Sequence, residues 1–399
     1  MGVPARQDNH LLRHSTVRDG SWRGSSPHPY PQSTAGYDVT VPRAAAGGRF
    51  DVMSAPTAGR IRLSDPSELI AAVPHLLGFH PRNSVVLLAL HGKSLGLTLR
   101  ADLVDDDQAV VLAEQLLPPI ARQRPTGVAL IVVGGSCSPA GDPPHRALVD
   151  ALDNALTGAG LPVVHAAWTA ETARGAPWRC YDDPLCAGTV ADPTTSPLAA
   201  ATVAAGAVTF GSREEMAELV AEDDPTTLQR RAILLDAADA EHPMSARLVA
   251  RRLARLKELH RAAAAGDLAL SDGVVAEVAS ALCDHRVRDS CLPWCTGPGA
   301  AAAEQLWLAL VRATPAPERA EPAALLALAA YLRGDGALAG VALDAALHAC
   351  PHHSLSGLLR AALDGGLSPE LLRSVAADAA AALIRPARNS ANRRSRRKR

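Results

Sequence analysis

The chain has 399 residues, 40 basic against 41 acidic side chains, 48% apolar residues and 3% aromatics, a near-neutral globular composition that excludes a fibre or a chain-wide polyelectrolyte. The length suits two or three domains and a sizeable core. The net charge of −1 hides an asymmetry: residues 385–399 hold eight Lys or Arg and no acid, residues 1–60 are also basic, and the stretch between them carries −12, so most of the surface repels a nucleic-acid backbone and only the tail suits weak contact with a polyanion.

Residues 1–58 scatter Gly, Pro, Ser, Arg and His without period and contain no Glu, which reads as a disordered tail. At Ile61 the character changes. In Leu63-Ser64-Asp65-Pro66-Ser67-Glu68 a capping Asp65 precedes Pro66 at the first helical position and Glu68 follows three residues after the cap, which predicts a helix ending near Gly78. Residues 84–90 are a continuous apolar run, and after His91-Gly92-Lys93 come the alternating Leu95, Leu97 and Leu99, so the pair reads as a hairpin. Helical spacing over 106–123, a buried-strand run over 127–133, a helix over 144–156 and a strand over 161–168 complete an α/β domain, 61–192, with a mixed sheet and helices on its faces.

After a Pro- and Gly-bearing stretch over 174–197 the strand signal stops. Residues 197–384 read as an all-α array, with helices near 197–207, 212–221, 225–263, 267–287, 299–313, 321–333, 336–349, 354–364 and 368–383. Residues 385–399 are expected to be a basic disordered tail. Seven cysteines are an odd number over a long chain, the first thirty residues hold no apolar core of a leader, and the longest uncharged run, 193–212, is mostly Ala, Thr and Ser. A cytoplasmic protein with free thiols and no membrane span is expected.

Residues 63–84, running from Leu-Ser-Asp-Pro-Ser-Glu-Leu through Leu-Leu-Gly-Phe-His-Pro-Arg-Asn-Ser, resemble the start of an uncharacterised domain-of-unknown-function family common in actinobacteria. The resemblance extends through Leu95-Gly-Leu-Thr-Leu-Arg-Ala-Asp-Leu103, Trp178 and Arg286-Val-Arg-Asp289 to 332–344, from about residue 61 to 367, and implies no activity. Members begin shortly before the Leu-Ser-Asp-Pro element, which makes Met53 the expected true start and residues 1–52 a mis-annotated extension, the alternative being a genuine disordered arm. Around Trp178 the family resembles an aromatic pair, a Tyr and closely spaced cysteines. This chain has Trp178-Arg-Cys-Tyr-Asp-Asp-Pro-Leu-Cys186 but Ala187 where a second adjacent Cys belongs.

No motif supplies a known catalytic mechanism. Cys180-x5-Cys186 lacks zinc-knuckle spacing, and in the cluster Cys283, His285, Cys291 and Cys295 the first two are two residues apart at a helix end and so point apart, so no metal and no cofactor are expected. Gly134-Gly135-Ser136-Cys137 follows a strand, where α/β folds present N–H groups to anions, though a lone Gly pair is more often a turn. Cys137 as a nucleophile needs a base, and His165 is the near candidate. Arg100 and Asp102 alternate on one strand and so share a face, to pair or to line a cleft. His75, His80, His91 and His352-His353 read as solvated or capping rings.

Counted back from Pro351, the small residues Ala346, Ala339 and Gly334 fall where a tetratricopeptide repeat places them, so 321–351 reads as a tetratricopeptide-like hairpin with degenerate neighbours. The leading expectation is a non-enzymatic interaction or scaffolding module that binds a protein partner through the helical array. The alternative is an enzyme or small-ligand protein that takes a phosphorylated or acidic ligand at the strand ends. Its candidate residues are Arg100, Asp102, Gly134, Gly135, Ser136, Trp178 and Tyr181, with the 178–186 loop as a lid.

Overall fold

The computed structural model describes residues 37–40, 60–63 and 65–374, apart from 93, 139–140, 205–206 and 240–244. The expected start at Met53, the basic tail at 385–399, most of 1–58 and the end of the 368–383 helix lie outside these residues.

A mixed sheet is built from β1 (Tyr37–Thr40), β2 (Arg60–Leu63), β3 (Ser84–His91), β4 (Ser94–Asp102), β5 (Gly127–Val133), β6 (Val163–Thr169), β7 (Pro177–Cys180) and β8 (Ala187–Thr189). Their spatial order is β2-β1-β4-β3-β5-β6-β7-β8. The pairs β5 with β6 and β1 with β4 run parallel, and the other neighbours are antiparallel.

The apolar run of β3 has a simple cause: both faces of the strand are covered. Val85, Leu87 and Ala89 join a cluster with α2 (Ala109–Arg122) and α3 (Arg146–Gly158), while Val86, Leu88 and Leu90 join a second cluster with α1 (Pro66–Leu77). A strand alternates its side chains, so successive residues divide between two cores. Each buried Leu contributes roughly 1.5–3 kcal/mol. The α1 helix starts as its sequence requires, with the Asp65 carboxylate accepting from the Glu68 amide at 2.9 Å, and ends at Gly78 with φ +78°.

The stretch 174–197, expected as a loop with a lid, contains the β7–β8 ribbon instead. Strands of four and three residues are too short for an alternation pattern to declare them. Beyond it come α4 (Pro197–Ala204), α5 (Arg213–Ala217), α6 (Pro225–Asp239), α7 (Ala246–Ala265), α8 (Asp272–Leu282), α9 (His285–Cys291), α10 (Ala300–Ala313), α11 (Ala320–Arg333), α12 (Gly336–Ala349) and α13 (Ser354–Asp364). The expected single helices over 225–263 and 267–287 are each two. Ser245, Ser271 and Asp284 cap α7, α8 and α9 by accepting from backbone amides two or three residues on, and a residue in extended cap geometry ends helical continuity.

In α11 every residue from Ala320 to Leu332 except Glu321 is buried. Such a helix is hydrophobic all round because neighbours cover it on every side. Gly334 at φ +92° and Asp335, which caps α12 through the Leu338 amide at 2.9 Å, join α11 and α12 in a hairpin. The cluster on the α1 face of the sheet runs on through Trp178 to Leu306, Trp307, Leu325 and Leu343, so the core crosses the change from strands to helices. Among the described residues no helix is long and apolar enough to cross a membrane.

Candidate functional site

The strand pairing gathers the first group of polar residues. Ser84 lies opposite Val133 on one side and Asp102 on the other, and Val133 lies opposite Thr169, so the ends of β4, β5 and β6 meet the start of β3. Arg100 and Asp102 form an ion pair of 2.5 Å, and Arg100 Nε donates to Ser84 Oγ at 2.7 Å. The Ser84 hydroxyl donates in turn to the Arg82 carbonyl at 2.7 Å. This guanidinium is already committed within the chain.

Gly134 and Gly135 take φ +119° and +73°. A Cβ placed on Gly134 would lie 2.8 Å from Asn83 Oδ1 and 3.1 Å from Asn83 Cα, so only glycine allows the close approach. The Gly134 amide donates to the Thr169 carbonyl at 3.0 Å, and its own carbonyl accepts from Trp168 Nε1 at 2.7 Å. The pair is a turn that locks strand ends together, with Gly135 and Ser136 exposed at its rim.

Trp178 and Tyr181 do not join this group. Trp178 is buried in the α1-side cluster beneath Gly188, and Tyr181 is buried in the opposite cluster. The Tyr181 hydroxyl donates to the Pro144 carbonyl at 2.6 Å, and burial pushes the phenol up from its ordinary range. The 178–186 segment expected as a lid is tied down instead: its first three residues belong to β7, and a disulfide joins Cys180 to Cys186. For these two cysteines the expectation of free thiols is corrected; Cys137, Cys291, Cys295 and Cys350 are free.

The Cys137–His165 pairing does not form either. His165 Nε2 lies 3.7 Å from Cys180 Sγ, and burial pushes the Cys137 thiol up. Among the described residues no three His, Cys, Asp or Glu side chains are placed to hold a metal ion. Burial holds the Cys295 thiol up to about 12 and also raises that of Cys291, which disfavours the thiolate a metal needs. The histidines act as ties: His75 bridges Thr209 Oγ1 at 3.0 Å and the Pro193 carbonyl at 2.9 Å, and the His353 ring caps α13 by accepting from the Ser356 amide.

A second feature escaped the sequence reading. A groove of about 600 Å³ lies between α12 and the segment from α5 to Glu222. Ser212 starts α5 by accepting from the Glu215 amide at 3.1 Å. Arg319, with a side chain only 7% exposed, underpins the floor: its Nε donates to the Val311 carbonyl at 2.9 Å, one terminal nitrogen to Glu222 at 2.6 Å and the other to the Val220 carbonyl. At the rim Arg213 donates to Asp344 at 2.6 Å, and Arg360 holds the same carboxylate. The helix contributes Val341, Ala345 and His348, spaced four and three residues apart and so on one face. That spacing was the available signal.

A family model described as Domain of unknown function (DUF4192) matches residues 66–370, from the first residue of α1 to beyond α13. The chain belongs to the DUF4192 family. Its match covers the strand-end cluster and the groove alike. No curated protein and no solved structure matches the chain.

Proposed function

We propose that this DUF4192 chain is a protein-binding module whose partner lies along α12, in the groove walled by α5 and residues 218–222. The groove's make-up carries this reading: Ala217, Val341 and Ala345 give it an apolar floor, Arg213, Glu218 and Asp344 give it a charged rim, and His348 adds a polar ring. Small-molecule sites enclose most of their ligand within apolar walls. An open groove with a small apolar floor and a polar rim suits a polypeptide segment instead. The catalytic reading has less support, since Arg100 is already paired and, among the described residues, neither feature joins a nucleophile to a base.

The α11–α12 hairpin supports a tetratricopeptide-like scaffold, because Ala339 and Ala346 are fully buried and Pro351 stands just after α12. We place the module in the cytoplasm, on the free thiols of Cys137, Cys291, Cys295 and Cys350.

An Ala345→Trp variant tests the groove, because it fills the floor from the half-exposed side of α12. A partner captured on the wild-type chain from its own cells and lost with the variant, at an unchanged melting temperature, supports the reading. Capture of the same partner by the variant refutes it.

A further inference from the structure

We propose that Cys180, Cys186 and His165 form a thiol–disulfide exchange site, opened by an external dithiol at Cys186 and closed again at Cys180 with His165 as base. The site lies away from the groove and rests on separate observations.

The β6–β7 register sets Cys180 opposite Ala167, so His165, two residues earlier on β6, stands diagonally beside it on the same face. Its Nε2 is 3.7 Å from Cys180 Sγ. The two sulfurs differ in access. Cys180 is buried, whereas Cys186 is half-buried between exposed neighbours, with Leu185 at the ribbon tip 92% exposed. An incoming thiolate therefore meets Cys186.

The ribbon does not depend on the disulfide for its shape. The Cys180 amide donates to the Cys186 carbonyl at 2.8 Å, the Cys186 amide donates to the Asp183 carbonyl at 3.0 Å, and β7 pairs with β8 beyond them. These bonds hold the Cα atoms 5.5 Å apart, inside the range for a disulfide, whether or not the sulfurs are joined. A bridge between residues six apart also removes less entropy from the unfolded chain than a long-range bridge would. A cross-link whose ends stay in bonding range when it opens is suited to turnover.

The exchange balances as follows. A thiolate of the dithiol attacks Cys186 Sγ, the S–S bond breaks, and its electron pair leaves on Cys180 Sγ, which takes up a proton. The second thiol of the dithiol, on losing its proton, attacks its own partner sulfur in the mixed disulfide and releases Cys186 as a thiolate, which takes up the second proton. The chain gains two electrons and two protons, and the dithiol becomes a disulfide. In the closing direction His165 Nε2 takes the Cys180 S–H proton while that sulfur attacks the mixed disulfide at Cys186. Burial holds His165 below the usual imidazole range, so the ring is neutral at pH 7 and its nitrogen can accept.

The full chain is treated with millimolar dithiothreitol in native buffer, alkylated with N-ethylmaleimide and mapped by mass spectrometry. The expected result is joint release of Cys180 and Cys186 with the near-UV circular dichroism retained, and re-closure in a parallel unalkylated sample when the reductant is removed and oxidised dithiothreitol is added. With an aromatic disulfide as probe, Cys186 in a Cys180→Ser variant reacts at least about tenfold faster than Cys180 in a Cys186→Ser variant. His165→Gln slows re-closure at pH 7 by about tenfold and slows the expulsion of Cys180 on opening with it, because the two are one step run in opposite directions. Release only on unfolding, equal reactivity of the two sulfurs, thiols that never close, or an equivalent of bound zinc would each overturn the proposal. If His165→Gln fails to fold, the wild-type and cysteine measurements still decide.

Discussion

Arg319 reaches Glu222 at 2.6 Å beneath the groove while its other nitrogens donate to the carbonyls of Val311 and Val220. One buried cation thus ties the start of α11 to the end of α10 and to the segment after α5. Arg319→Ala is expected to lower stability by about 3 kcal/mol, because it strands buried carbonyls as well as removing a charge-assisted bond. Glu222→Gln is expected to cost under about 1 kcal/mol, since Glu222 is 46% exposed. Urea unfolding of both variants measures the difference, and equal losses would contradict the carbonyl-binding role.

Ala339 on α12 is fully buried. Ala339→Leu is expected to cost about 1–3 kcal/mol, because extra methylenes have no space in a packed helix interface. On α13, Gly357 is exposed and a Cβ there would meet nothing within 4 Å. Gly357→Ala is expected to raise stability by roughly 0.5–1 kcal/mol through helix propensity alone. Thermal melts of the two variants should shift in opposite directions.

Gly134→Ala combines a left-handed φ of +119° with a backbone approach to Asn83. A loss of about 2–4 kcal/mol is expected from strain and displacement together. A variant that melts with the wild type would show that the turn relaxes freely.

Burial holds the Tyr331 phenol up to about 12, with its hydroxyl 3.0 and 2.9 Å from the carbonyl oxygens of Ala362 and Leu367. In the unfolded chain a tyrosine titrates near 10. A raised folded value means that its contribution is complete below pH ~10 and fades as pH climbs toward about 12. Tyr331→Phe should be less stable at pH 7 by about 1 kcal/mol and fall less steeply above pH ~10. Urea midpoints between neutral and alkaline pH test both statements.

The legible parts of the sequence were those in which one local signal suffices. The α1 helix announces itself through Asp65, Pro66 and Glu68, the α11–α12 hairpin through Gly334, Ala339, Ala346 and Pro351, and β3 and β5 through apolar runs that reflect burial on both faces. The Arg100–Asp102 pairing followed from alternation on one strand. What stayed hidden depends on distant residues or on very short elements. Arg213 and Asp344 are 131 residues apart, and nothing local in either segment points to the other. The β7–β8 ribbon is visible only through its neighbours, since Trp178 gains its place from β6 on one side and Gly188 on the other.

The sheet finishes at β8, three exposed residues long. An edge of that length offers too few free amides and carbonyls to template another chain, so the ribbon acts as a blunt stop. Peeling it away would lay bare the flank of β6, seven residues of mostly apolar character, and would turn a closed border into a surface on which copies of the protein could stack strand to strand. Variants that loosen the ribbon should therefore first reveal themselves as turbidity in concentrated solution.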